Sequence, residues 1–268
     1  MIMANQEHLA LLEKEKNWIS WRKNNPQISP DLQEIDLTGK NLKQAHLCEV
    51  NLSQANLENV NLSQANLEKA DLTQANLRAA NLSYAYLERA NLIGANLRQA
   101  NLIQAHLSEA NLIGTSLRNS QIQAANFSRS QLNRTNLSEA YGRNTNFCEA
   151  DLSQASLYEV ELQGAYFYRA NLFQAQMIQG HLYHSYLYDA NLQEIKGDRL
   201  DLRWSNLSKA NLQGASLQGA NLSYANLSYG NLEGANLQGA NLRGANLIGT
   251  NLEQTNLSEA NLTDTITA

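Results

Sequence analysis

Hydrophobic residues recur in this chain every five positions. From Leu32 to Leu262, every residue number ending in 2 or 7 belongs to one column, and 40 of its 47 positions are Leu. The exceptions are Ile122, Phe127, Gly142, Phe147, Phe167, Met177 and Gly197. A second column, two residues earlier, is small: mostly Ala, with Ser, Thr, Gly and a few Val, and large only at Ile35, Lys40, Ile195 and Leu200. Asn most often stands directly before the Leu. The rule is cleanest from Asn231 to Gly249, where Leu232, Leu237, Leu242 and Leu247 are predicted core. A period of five fits neither the 3.6 of an amphipathic helix nor the two of a plain strand, so it predicts a repeat architecture. In extended chain, a spacing of two puts the large and small columns on one face. One short extended side plus a turn uses five residues, and four such sides close a square coil. Coils then stack at roughly 4.8 Å, each backbone group along the axis pairing with the coil above or below.

The tandem A(N/D)LXX pattern over residues 32–268 resembles the pentapeptide-repeat family. That resemblance implies an all-β fold, a right-handed quadrilateral β-helix of twenty-residue coils. The 47 centres would then make just under about twelve coils, a rod about 55 Å long at the strand spacing. The length alone would suggest one or two globular domains. The register never slips, which argues instead for a single solenoid over 32–268, preceded by an N-terminal helical cap and linker over 1–31.

In that leader, Asn5 is placed to cap a helix and Glu7 sits in its first turn. Leu9, Leu12 and Ile19, with Leu11 and Trp18 beside them, give an apolar stripe at helical spacing until Asn24, Asn25 and Pro26 stop it. A solenoid exposes the core and strand edges of its first coil, so the stripe is predicted to cover that end. The segment is also similar to the leader of cyanobacterial members of the family, through Trp18, Trp21, Arg22, Asn25, Pro26, Pro30, Asp31 and Leu32, and implies a bacterial, cyanobacterial source. At the other end no cap is visible. Either the final strands fray or two copies meet end to end as a homodimer. Gly142 and Gly197 put no side chain where Leu would stand. Each predicts either a void, costing on the order of 2 to 5 kcal/mol, or a bulged turn whose neighbours fill the gap. Ile195 and Leu200, large where Ala is usual, favour the second account at Gly197.

Composition narrows the function. The formal net charge is -5, so nothing recommends nucleic-acid binding through phosphate neutralisation. No segment is apolar enough to span a bilayer, and no signal peptide is visible. Cys48 and Cys148 share an outward column but lie five coils apart, roughly 24 Å, far beyond the ~7 Å reach of a disulfide. Two free thiols fit a reducing compartment, and a cytoplasmic location is expected.

Because residue n is predicted to lie under residue n+20, sites are found by stacking columns. Glu161, His181 and Asp201 form one column, a histidine between two carboxylates. These are legitimate metal ligands, although the same residues serve equally as an outer polar ladder. Beside it His184, Trp204 and Tyr224 stack. On the next face Tyr166 and Tyr168 flank Phe167, and one coil on, Tyr186 and Tyr188 flank Leu187, all four tyrosines directed outward. Phe127, Phe147 and Phe167 are predicted core beneath them. Exposed aromatic clusters serve protein interfaces as anchors, and they also stack simply to stabilise strands. The predicted partner surface is Tyr166, Tyr168, Tyr186, Tyr188, His184 and Trp204. His46, Cys48 and Glu49 lie too open on one outward strand for a nucleophile or metal site.

Three function classes follow. An enzyme needs groups converging in a water-excluded concavity, which a solid rod filled with Leu does not supply, so no catalytic residue and no cofactor is expected. Some pentapeptide-repeat proteins protect topoisomerases by mimicking DNA, and the resemblance keeps a DNA-mimicking topoisomerase-binding protein as the alternative. Over 55 Å, however, B-DNA presents roughly 30 charges, and the acidic residues here are sparse. The remaining class is a rigid protein-interaction scaffold, or a regulator acting by contact on an unidentified protein partner.

Overall fold

The computed structural model describes residues 6–12 and 15–267. Two short helices come first, α1 at Gln6–Leu12 and α2 at Glu15–Asn24. The expected cap at Asn5 lies outside the described residues, as does the side chain of Leu9. From Asp31 onward the chain repeats one five-residue unit. Its first residue forms a parallel bridge with the residue twenty positions on, as in Asp31 with Asn51, Asp36 with Asn56, Asn41 with Asn61 and His46 with Asn66. These four bridges define four faces, here A, B, C and D, and the pattern holds to Asn246 with Ile266. Pairing is confined to single residues because each side of the square is only a few residues long.

The backbone of a unit can be accounted for group by group. Leu52 N–H donates to Asp71 O at 2.7 Å and Gln54 N–H to Thr73 O at 2.8 Å, both toward the next coil. Asn51 N–H donates back to Pro30 O at 2.9 Å, and Ala55 N–H closes a turn onto Leu52 O at 3.1 Å. One N–H remains, that of Ser53, and the side chain of Asn51 takes it, Oδ1 accepting at 3.0 Å. This Asx turn explains why Asn or Asp precedes the Leu: its short carbonyl reaches the backbone two residues on. Its Nδ2 is then free to join a ladder between coils, as Asn51 does with Asp31 at 2.9 Å.

The Leu and small columns are buried throughout the middle of the rod, including Leu232, Leu237, Leu242 and Leu247. Phe127, Phe147 and Phe167 stack inside it at 5.2 and 5.1 Å. Hydroxyls in the small column are satisfied in place: Thr115, Thr135 and Ser185 donate to Leu92 O, Leu112 O and Leu162 O of the preceding coil at 2.7, 2.8 and 2.9 Å. At Gly142 the neighbours fill the gap, but without the expected bulge. A Cβ there would stand 2.6 Å from Leu162 Cδ2 and 2.8 Å from Ile122 Cγ1, so the core side chains above and below fill the space. The turn does not bulge, since Gly142 N–H keeps its bond to Glu161 O at 2.7 Å. Gly197 is filled by Leu217, Leu200 and Ile195 within 3.4 Å, with its backbone bonds equally intact.

The leader forms two helices rather than one. Trp18 is buried and its indole N–H donates to His46 O at 2.6 Å. Arg22 donates to Cys48 O at 2.7 Å, and Asp31 N–H to His8 Nδ1 at 3.1 Å. All three backbone groups lie on the open edge of the first coil. Ile19, expected on the covered stripe, is exposed instead. At the other end, Leu252 and Leu257 are only partly buried and Leu262 is exposed.

Candidate functional site: the aromatic face

On face D, Tyr166 and Tyr186 occupy the position that Asn usually fills, bridged to each other and stacked at 5.0 Å with 5° between their planes. Both are exposed. Tyr168 and Tyr188 lie in the turns two residues on, stacked at 5.8 Å. They are half-buried rather than freely outward, because cations lie over them: Arg169 stands 5.0 Å from the Tyr168 centroid and Lys209 5.5 Å from that of Tyr188. The corner toward face C carries His184, Trp204 and Tyr224, with centroid distances of 6.4 and 4.2 Å. Trp204 is 56% exposed. These three columns on face D and its corner lie side by side over four coils, with all six predicted partner residues among them. Since the rings stack face to face along the rod, they present edges outward, with hydroxyls and ring hydrogens at the surface.

The Tyr rungs come at a local cost. Where Tyr replaces Asn at 166 and 186, the N–H groups of Tyr168 and Tyr188 have no Asx acceptor, unlike that of Cys148 one coil earlier, which Asn146 accepts at 2.9 Å. Departures from a local rule of this kind concentrate where function competes with folding.

The predicted column of Glu161, His181 and Asp201 is assembled, each bridged to the next. His181 stands 3.9 Å from an oxygen of Glu161 and 3.9 Å from one of Asp201. Asp201 is engaged by Arg203, which donates to both of its oxygens at 2.8 and 2.7 Å. Burial opposes its ionisation, but these bonds, with the charges of Arg203 and His181, hold its carboxyl below the ordinary value. Among the described residues no group of three or more His, Cys, Asp or Glu side chains is arranged to hold a metal ion. His106 stacks on Tyr86 at 5.1 Å. Cys48 and Cys148 are both free and half-buried, and burial pushes both thiols up.

One feature went unread in the sequence although column stacking could have found it. The corner of face D carries alternating charge along much of the rod: Glu49 with Lys69 at 3.3 Å, Arg89 with Glu109 at 2.8 Å, Arg129 with Glu149 at 2.8 Å and Arg169 with Asp189 at 2.9 Å. These pairs are solvent-exposed and contribute little stability individually. They do leave this corner without a run of negative charge.

The fold and its faces define a four-sided β-solenoid whose functional groups are displayed on flat walls. Pentapeptide repeats match this chain in eight copies, over residues 31–64, 55–92, 90–129, 125–164, 201–239 and 235–266, and the chain belongs to that family, whose solenoid is a right-handed β-helix. Among curated proteins none matches. Among solved structures, HetL, a pentapeptide repeat protein involved in heterocyst differentiation regulation from the cyanobacterium Nostoc sp. strain PCC 7120, is 32% identical. That match covers 92% of this chain and 95% of HetL, with a TM-score of 0.46. Rfr23 of the cyanobacterium Cyanothece 51142 is 39% identical over 41% of this chain and 65% of its own, with a TM-score of 0.16. QnrB1, a plasmid-mediated fluoroquinolone resistance protein, is 20% identical over 71% of this chain and 90% of its own, with a TM-score of 0.37. Among the described residues no helix is long and apolar enough to cross a membrane.

Proposed function

We propose that this chain is a non-catalytic rod of about twelve coils that acts by contact, as a scaffold or regulator, on a protein partner bound to the aromatic surface of face D. The observation that carries the reading is the exposed, stacked rung of Tyr166 and Tyr186, in a position where Asn would serve the fold better, with the exposed Trp204 in the neighbouring corner column. Tyr and Trp supply rigid contact area at low entropic cost, and Lys209 with the Arg169–Asp189 and Arg203–Asp201 pairs gives the patch a polar, charged rim. The helices of the leader act as the cap of the first coil, Trp18 and Arg22 taking edge carbonyls that would otherwise meet solvent. Two free half-buried thiols favour a cytoplasmic setting. DNA mimicry is disfavoured by the corner ladder, which alternates in sign where a duplex would present about one negative charge every 1.7 Å.

The test is capture from a lysate of the source organism with the native chain and with the Tyr166→Asn/Tyr186→Asn variant. A protein retained by the native chain and released by the variant supports the reading. Equal retention by both would assign the tyrosines a purely structural role.

A further inference from the structure

Among the described residues, the N-terminal end of the rod is covered on only part of its square. α1 and α2 supply partners for the edge at Asp31 on face A and at His46 and Cys48 on face D. Among the described residues no helix partner reaches face C, and there a cavity of about 470 Å³ lies between the helices and the first coil. Its apolar wall is made by Leu12, Trp18 and Ile19 from the helices and by Leu37, Leu42 and Ala45 from the coil. Leu42 and Ala45 belong to the two inward columns, which are buried in the middle coils of the rod but only partly buried here.

Two further features of this cavity point to its occupant. The first is an unsatisfied strand edge. Among the described residues, nothing pairs with the backbone N–H groups of Asn41 and His46 or with the carbonyls of Asn41 and Lys43. In every inner coil the equivalent groups bond to the coil before, as Asn61 N–H does to Lys40 O at 2.9 Å. The second is charge. Lys40 is the one charged residue in the column that is mostly small, and Lys43 lies three residues on. Both line the cavity, both are exposed, and neither has an acidic partner within ion-pair distance among the described residues. An acyl chain would fill the apolar space but leave the edge unpaired. An extended peptide satisfies both requirements, its backbone continuing the sheet and its side chains alternating between the apolar floor and the lysines.

The geometry points to a second binding site here: a groove that takes an extended protein segment, apolar residues inward and acidic residues outward, as an added rung below face C. The site stands about seven coils from the Tyr166 rung, about 34 Å along the rod, and it does not depend on the aromatic surface being an interface. With both occupied, the rod would hold two chains at a fixed separation.

A fluorescein-labelled peptide, acetyl-Ala-Asp-Leu-Glu-Asp-Ala-Asp-Leu-Glu-amide, provides the test, titrated against the full chain by fluorescence anisotropy. Saturable binding is expected. It should weaken at least about tenfold, or about 1.4 kcal/mol, in the Lys40→Glu/Lys43→Glu variant, whose substitutions are exposed and leave the core intact. A peptide with Lys for each acidic residue should not bind, nor should one with Pro at the edge-pairing positions, since Pro lacks the N–H. Ile19→Asp should weaken binding through the apolar wall, while Tyr166→Asn/Tyr186→Asn should leave it unchanged. Absence of saturable binding would overturn the proposal. So would equal binding of the Pro peptide, or binding of laurate micelles in place of the peptide, which would make the groove a lipid site.

Discussion

One residue in each unit, the second of the turn, sits in the left-handed region of backbone space, and in 37 of the 47 turns that residue is not glycine. An L side chain there costs on the order of 1 kcal/mol, which the surrounding hydrogen bonds hold in place. Ala124 has φ +53° and an exposed side chain, so Ala124→Gly is expected to raise the urea midpoint by up to about 1 kcal/mol equivalent, the relieved strain exceeding the added flexibility of the unfolded chain. At Gly239, φ +65°, a Cβ would touch nothing within 4 Å. Gly239→Ala should therefore destabilise by a similar amount through the backbone alone. If both substitutions prove neutral, the turns carry no strain. The Asn column makes the complementary point: its carbonyl caps the turn, and Tyr166 and Tyr186 give that up. Tyr166→Asn/Tyr186→Asn restores two Asx bonds, each about 1 kcal/mol, and loses one stacked pair of comparable worth. Its thermal midpoint should be unchanged or higher even as partner capture is lost. A lower midpoint would make the tyrosines structural. The thiols behave in keeping with their burial. Because burial raises both, the reactive thiolate is scarcer at neutral pH than for a free cysteine. Iodoacetamide labelling of the folded chain should be slow at pH 7 and still climbing above pH 9, whereas in urea it should follow an ordinary thiol.

At the scale of the single coil, the inward columns were legible because a core filled by two residues in five leaves a period that no turn or loop interrupts. The same periodicity puts Glu161, His181 and Asp201, and the tyrosine pairs, in register. What stayed hidden is what the period does not encode. The gap at Gly142 is closed by Ile122 and Leu162, residues that look ordinary in sequence and lean in because they stand directly below and above it. Gly142→Leu should therefore overpack rather than repair the core, lowering stability by about 1 to 3 kcal/mol. Stabilisation on that change, measured by urea unfolding, would mean that a void exists after all. The groove at face C was equally illegible, since it depends on where α1 and α2 dock, and the apolar stripe of the leader says only that they dock somewhere. The cations over Tyr168 and Tyr188 come from one residue and one coil away, a relation that reading columns singly passes over.

Taken whole, the rod is a line of nearest-neighbour interfaces, so its ends differ from its middle in kind. The first coil keeps part of its edge under the helices. In the last coil, the N–H groups of Leu252, Gln254, Leu257 and Glu259 have no backbone partner among the described residues, and the side chains of Leu252, Leu257 and Leu262 lose cover progressively. An apolar end rimmed by unpaired donors is a template for a second strand layer, and a second copy of the same end offers the same leucines in an isologous contact. We propose that an end exposed in this way self-associates. Light scattering on the eluted peak should report twice the 29.8 kDa chain mass, and Leu257→Asp, at a partly buried site in the last coil, should return a monomer with its β-sheet circular dichroism preserved. A monomeric native chain, or a dimer indifferent to Leu257→Asp, would place the contact elsewhere and leave the last coil to fray. The distinction bears on the scaffold reading directly. Two rods joined end to end would present two aromatic surfaces and so bind a partner twice, with the gain in avidity set by geometry rather than by any new contact.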